Sequence, residues 1–157
     1  MKKYLKLISG ALAILAVVFM FFTQVSVKSA YDPTVNIGFK ALVGGSANGG
    51  SYTFTGVGSA LAGYILIGVG GLLILLCAFI PFFKEHDVLS MVVVGIAVVC
   101  IIIGVILIFL LRKNFMDANG ELSKNVLVGW GAMTAGSLGS LAAAGGILSI
   151  VLDLLEK

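Results

Sequence analysis

The chain has 157 residues, of which 60% are hydrophobic and 11% charged, and its formal net charge is +3. A mean hydropathy of +1.17 excludes an ordinary soluble domain, because globular proteins carry about 25% charged residues. The ten basic residues are scattered in ones, twos and threes, so no basic face for nucleic acid is expected.

Four apolar runs, at about 5–22, 57–83, 88–111 and 126–152, are long enough to cross a bilayer. About 20 residues at 1.5 Å each span a hydrocarbon core of about 30 Å. In lipid the backbone must pair within each segment, so these runs are expected to be helical although Val and Ile crowd the third. The expected architecture is an all-α membrane protein, a single integral membrane domain over 1–157. It consists of a four-helix transmembrane bundle carrying a small extracellular antiparallel β-sheet formed by the first outer loop.

The opening MKKYLKLISGALAILAVVFMFF has the basic start and apolar core of a secretory signal. Its apolar run slightly exceeds the usual 7–15 residues, and bulky Phe19, Met20, Phe21 and Phe22 fill the end nearest any cut. Retention as a membrane helix is therefore favoured over cleavage after Ser29. With the N-terminus inside, Lys2, Lys3, Lys6, Lys84 and Lys157 face the cytoplasm, against Lys28, Lys40, Arg112, Lys113 and Lys124 outside. The counts are equal, and the lysine triplet before the first helix decides the orientation. Both termini are expected in the cytoplasm of a multi-pass plasma-membrane protein.

The first outer loop, about 23–56, alternates apolar and polar residues. Val25 and Val27 form one such run; Val35, Ile37, Phe39, Ala41 and Val43 form a second, with Leu42 on its opposite, outward set; Tyr52 and Phe54 form a third. Period-two patterning predicts three short strands, separated first by Asp32-Pro33 and then by a glycine-rich turn. That turn, Gly44, Gly45, Ser46, Ala47, Asn48, Gly49 and Gly50, is the candidate exposed loop surface. The second outer loop, about 112–125, contains the turn pair Asn119-Gly120 and either adds a strand or extends the third helix.

Four helices, a longer strand-rich first outer loop, a tight inner turn and a shorter second outer loop resemble the claudin-type tetraspan plan. The first loop carries neither the Trp nor the cysteine pair of the claudin signature, so the likeness is one of layout. The short lysine-rich start also resembles small tetraspan membrane proteins of bacteria.

In the fourth run, Ala132, Gly136, Ser140 and Ala144 lie four apart, and Ala135, Gly139 and Ala143 form a second small-residue ridge. Such spacing lets helix backbones approach closely in lipid. This helix is expected at the centre of the bundle, with the second-helix glycines Gly63, Gly68, Gly70 and Gly71 completing the same packing; a self-association or partner face is the alternative. Thr134, Ser137 and Ser140 are expected to bond their own helix carbonyls more readily than to line a path. Between the interfaces no ionisable residue is expected, with Asp153 at the very end of the last span.

Cys77 and Cys100 lie at depths differing by about 9 Å in an antiparallel helix pair, too far for a disulfide. Glu85, His86 and Asp87 are adjacent in a tight turn and do not converge on an ion as spaced ligands do. With His86 the only histidine, no His-containing triad is available. The glycine-rich loop lacks the Gly-Lys-Ser/Thr ending of a phosphate-binding loop. The expectation is a non-catalytic protein without cofactor or metal, acting as an interaction, accessory or structural tetraspan. A small oligomeric channel is the alternative. Its partners are the lipid bilayer and either another membrane protein or further copies of itself, not nucleic acid.

Overall fold

The computed structural model describes residues 2–28, 34–47, 50, 52–80, 83, 86–120 and 125–155. In chain order its elements are α1 (Lys2–Val18), extended by a 3-10 turn at Phe19–Phe21, β1 (Val25–Val27), β2 (Val35–Ile37), α2 (Lys40–Val43), β3 (Gly45–Ala47) and β4 (Tyr52–Phe54). Then follow α3 (Gly58–Phe79), α4 (Asp87–Phe109), α5 (Leu111–Asn119), β5 (Val126–Val128) and α6 (Trp130–Leu155). Four helices, α1, α3, α4 and α6, are long and apolar enough to cross a membrane. The 22 residues of α3 extend over about 33 Å.

The four long helices form a square. Helix α1 packs on α3 and α6, and α4 packs on the same two, while α3 and α6 lie diagonally opposed and scarcely meet. The start of α1 and the end of α6 share one end of the bundle; the strands occupy the other. The interior holds Ala13 and Ala16 of α1, Ile67 and Ile74 of α3, Val94, Ile101 and Ile108 of α4, and Ala132, Ala135 and Ala142 of α6. The outside is equally apolar: Val92, Ile96, Val99, Ile106 and Phe109 lie exposed along α4 alone. Water would not tolerate an apolar face of that length on a monomer, which is why so hydrophobic a chain folds as a multi-pass membrane protein.

Close backbone contact replaces large core side chains. A Cβ placed on Gly104 would lie 2.5 Å from the carbonyl oxygen of Gly63, so α3 and α4 touch there with nothing between them. The small residues of α6 form a buried stripe of Ala132, Ala135, Gly136, Gly139, Ala142, Ala143, Gly146 and Ser149. Through Ala135, Gly139, Ala142, Gly146 and Ser149 its steps alternate between four and three residues, a seam averaging 3.5. Of the two expected i+4 ridges, Ala135, Gly139 and Ala143 are all buried, but the first does not hold together: Ala132 and Gly136 are buried, whereas Ser140 and Ala144 are exposed. Four residues turn a helix by 400°, so such a ridge drifts about 40° per step and leaves the buried face within three steps. Nor do the second-helix glycines join that packing. Gly63 and Gly70 face α4, and Gly71 faces Ala13 of α1, because α6 is diagonal to them.

The sheet also departs from expectation. Strand β1 is central in a three-stranded antiparallel sheet ordered β2-β1-β5, with Val25 opposite both Ile37 and Val128. A separate hairpin pairs β3 with β4, Ser46 opposite Thr53. The sheet thus draws on both connecting segments, not on the first alone. Residues 126–128, expected to begin the fourth span, are a strand, and the helix starts at Trp130. The third run ends as α4 at Phe109, and the loop expected from 112 begins with a separate helix, α5, and ends in strand β5. The expected strand over 35–43 ends at Ile37; adjacent Ala41 and Leu42 are both buried, which a helical turn permits and a strand on one face does not. The glycine-rich stretch is itself partly strand, Gly45–Ala47 pairing with Tyr52–Phe54; Asn48, Gly49 and Ser51 lie outside the described residues.

Candidate functional site

Two polar nodes hold the ends of the bundle, and the strand-bearing end presents the most varied surface. At that end α1 gives way to β1 through Gln24, which is fully buried. Its side-chain nitrogen donates to the carbonyls of Phe19 (2.7 Å), which also accepts from the Phe22 N–H, and Phe22 (3.1 Å), where the helical ladder ends. Its side-chain oxygen accepts from the hydroxyl of Tyr64 in α3 at 2.7 Å. The Gln24 backbone completes the set, donating to Ile37 and accepting from Gly129. One residue therefore ties α1, α3, β2 and the start of α6 together.

The hairpin is held by side chains imitating strand partners. Asn119 at the end of α5 accepts from the Thr55 N–H (2.7 Å) and donates to the Thr55 carbonyl (3.1 Å), while also donating to Phe115. Lys40 donates to the Ser46 carbonyl at 3.2 Å. Beneath them Phe54 meets the buried Phe115, ring centroids 6.0 Å apart, and Asn114 donates to Ser59. Helix α5 is amphipathic: Leu111 and Phe115 are buried, while Arg112, Lys113 and Asp117 are exposed.

Of the residues expected to form an exposed loop surface, Gly45 and Gly50 are exposed and Gly44, Ser46 and Ala47 are half-buried. Gly44 has φ +90°, and a Cβ there would meet the Gly56 backbone nitrogen at 3.0 Å, so it shapes the loop from within. The solvent-facing set is Gly45, Gly50, Thr53 and Thr55. Beside it lies an aromatic group: Trp130 meets Phe22 (4.8 Å between centroids) and Phe19 (6.0 Å), and Phe21 meets Phe39 (5.6 Å). Trp130, Phe21 and Phe22 all remain substantially exposed.

The opposite end holds what sequence reasoning missed. Lys6, 8% exposed, donates to Asp153 at 2.9 Å and to Ser90 at 3.2 Å. The Cys77 thiol lies against Ser90 and within electrostatic reach of Lys6. Each long helix contributes one member of this cluster. Lys6 is thus buried in the bundle end, and the candidate spans Lys3–Phe21 and Trp130–Leu155 include it and Asp153. The signal was present in the spacing. Lys6 continues the buried stripe Ser9, Ala13, Ala16; Ser90 continues Val94, Ala97, Ile101; Asp153 continues Gly146, Ser149. A charge on an apolar stripe marks a buried charge.

The hydroxyls of α6 bond inside their own helix, Ser137 to the Met133 carbonyl and Ser140 to that of Gly136, each at 2.9 Å. Both serines are on the outer face of the bundle. Cys77 and Cys100 are free thiols. Among the described residues no group of three or more His, Cys, Asp or Glu side chains is placed to hold a metal ion; Glu85 lies outside them. The chain matches no protein-family model and no curated protein.

Proposed function

We propose that this chain is a non-catalytic tetraspan of the plasma membrane, with both termini in the cytoplasm and the strand-bearing end outside, acting as an accessory or interaction protein for another membrane protein. The observation that carries this reading is the joining of both connecting segments into one sheet fixed on the bundle by Gln24 and Tyr64. A platform assembled before binding loses little conformational entropy on association. Its polar exposed residues, the hairpin face of Thr53 and Thr55 and the exposed charges of α5, suit a protein partner. The layout remains similar to the claudin-type plan, without that family's loop signature.

Thr53→Arg, on the exposed face of β4, is expected to lower recovery of the partner with a tagged chain by about tenfold or more. It should leave thermal stability in detergent within about 0.5 kcal/mol. Unchanged recovery would remove the hairpin from the contact surface. The second reading is an oligomeric channel, favoured by the outward placement of Ser137 and Ser140, which only neighbouring copies bring around a shared path. Solute flux in liposomes that Ser140→Leu abolishes would replace the accessory reading with this one.

A further inference from the structure

We propose that Lys6, Ser90 and Asp153 form a latch that closes the termini-bearing end of the bundle, and that releasing it opens that end far enough to expose Cys77. The latch joins the first turns of α1 to the last turns of α6, with Ser90 of α4 as a second acceptor, through the 2.9 Å and 3.2 Å contacts of the Lys6 ammonium. Packing alone does not require it. The interiors of α1 and α6 meet through Ala13, Ala16, Ala142 and the Ser9 hydroxyl, which donates to the Ala142 carbonyl. An alanine or leucine in place of either charge would extend that packing by one more turn.

A buried ion pair is weak as a source of stability, because desolvation offsets most of the attraction, but removing the Asp153 carboxylate takes the counter-charge from the buried Lys6 ammonium. In apolar surroundings that ammonium must reach water. The nearest route is outward through the bundle end, since Lys6 lies only one turn from the start of α1. The pair therefore has two arrangements of the same elements. Paired, the four helix ends are drawn together over the Cys77 thiol, which is 4% exposed. Unpaired, the Lys6 stem turns toward water and the start of α1 follows it. Cys77, on α3 and against Ser90, lies where the gap forms, and is a reporter already present in the chain.

The test uses the full-length protein reconstituted in vesicles and carrying Cys100→Ala, with a water-soluble maleimide and detection by mass. Asp153→Asn is expected to raise the Cys77 labelling rate about tenfold or more. The exchange Lys6→Glu with Asp153→Lys is expected to label more slowly than Lys6→Glu or Asp153→Lys alone, because it restores a pair. Equal rates in parent and single variants overturn the latch, and so does an exchange as fast as its singles. Labelling of Cys100 in the matching Cys77→Ala proteins separates local opening from general unfolding. Rates at Cys100 that stay level support the latch, and rates that rise in step with those at Cys77 overturn it.

Discussion

Both side-chain polar atoms of Gln24 and both its backbone groups are engaged, and the residue is fully buried. Such a residue is costly to alter in an asymmetric way. Tyr64→Phe removes one hydroxyl and leaves the Gln24 oxygen unsatisfied, for an expected loss of about 1–2 kcal/mol. Gln24→Leu takes the Gln24 partner from the Phe22 carbonyl and the Tyr64 hydroxyl and one of two donors from the Phe19 carbonyl, and is expected to cost more than Tyr64→Phe. Thermal unfolding of the two variants in the same detergent gives the order directly, and the reverse order would contradict the assigned hydrogen bonds. Asn119→Ala tests the other anchor. It should make the hairpin more open to protease while leaving the bundle intact, since the Thr55 N–H and carbonyl lose a partner at the surface, where water replaces it. None of these roles was legible in the sequence. A lone glutamine after a run of phenylalanines carries no pattern, and its meaning comes from Tyr64, 40 residues on. Lys6 and Asp153 were legible in principle, each falling on the apolar stripe of its helix, but only once stripe and span end are considered together.

At the scale of elements, the apolar runs located all four long helices, because length and hydropathy are sufficient where a solvent offers no hydrogen bonds. They did not locate the boundaries. Val126–Val128 is as apolar as the helix after it, and only its pairing with Val25–Val27 makes it a strand. Hydropathy is silent on that choice. The period-two reading failed over 40–43 for a different reason: four residues also fit one helical turn, and burial of both Ala41 and Leu42 decided the outcome. For α6 the small residues were recognised; the ridge of Ala135, Gly139 and Ala143 is buried throughout, whereas the ridge from Ala132 to Ala144 runs off the buried face. Two substitutions separate the ridge from the stripe. Gly139→Leu should disrupt folding, because even a Cβ there would lie 2.6 Å from the buried Val105 side chain. Ala144→Leu, on the exposed face, should be tolerated within about 0.5 kcal/mol. Equal detergent stability of the two variants would sink the stripe. Gly104→Ala is expected to force α3 and α4 apart, at a cost of about 1–3 kcal/mol, the scale of overpacking a tight interface.

For the whole molecule, the square of helices leaves its outer faces apolar and its two ends chemically different. One end is drawn shut by a charge pair; the other carries a sheet that joins both connecting segments and an α5 helix with exposed charges. The described interior is filled mainly by alanine, valine, isoleucine and glycine contacts; the Ser137 and Ser140 hydroxyls lie on the outer face, and the buried Ser149 hydroxyl is taken up by the Gly146 carbonyl. Transport within one copy has no polar path among these residues, so the accessory reading needs a second protein and the channel reading needs further copies. The stoichiometry of the native complex discriminates between them. Mild-detergent purification of a tagged chain, with the mass and composition of the recovered complex determined, is the measurement that bears most directly on the account. It predicts a second membrane protein in fixed stoichiometry with the chain, depleted by Thr53→Arg; a pure homo-oligomer that conducts solute in liposomes would contradict it.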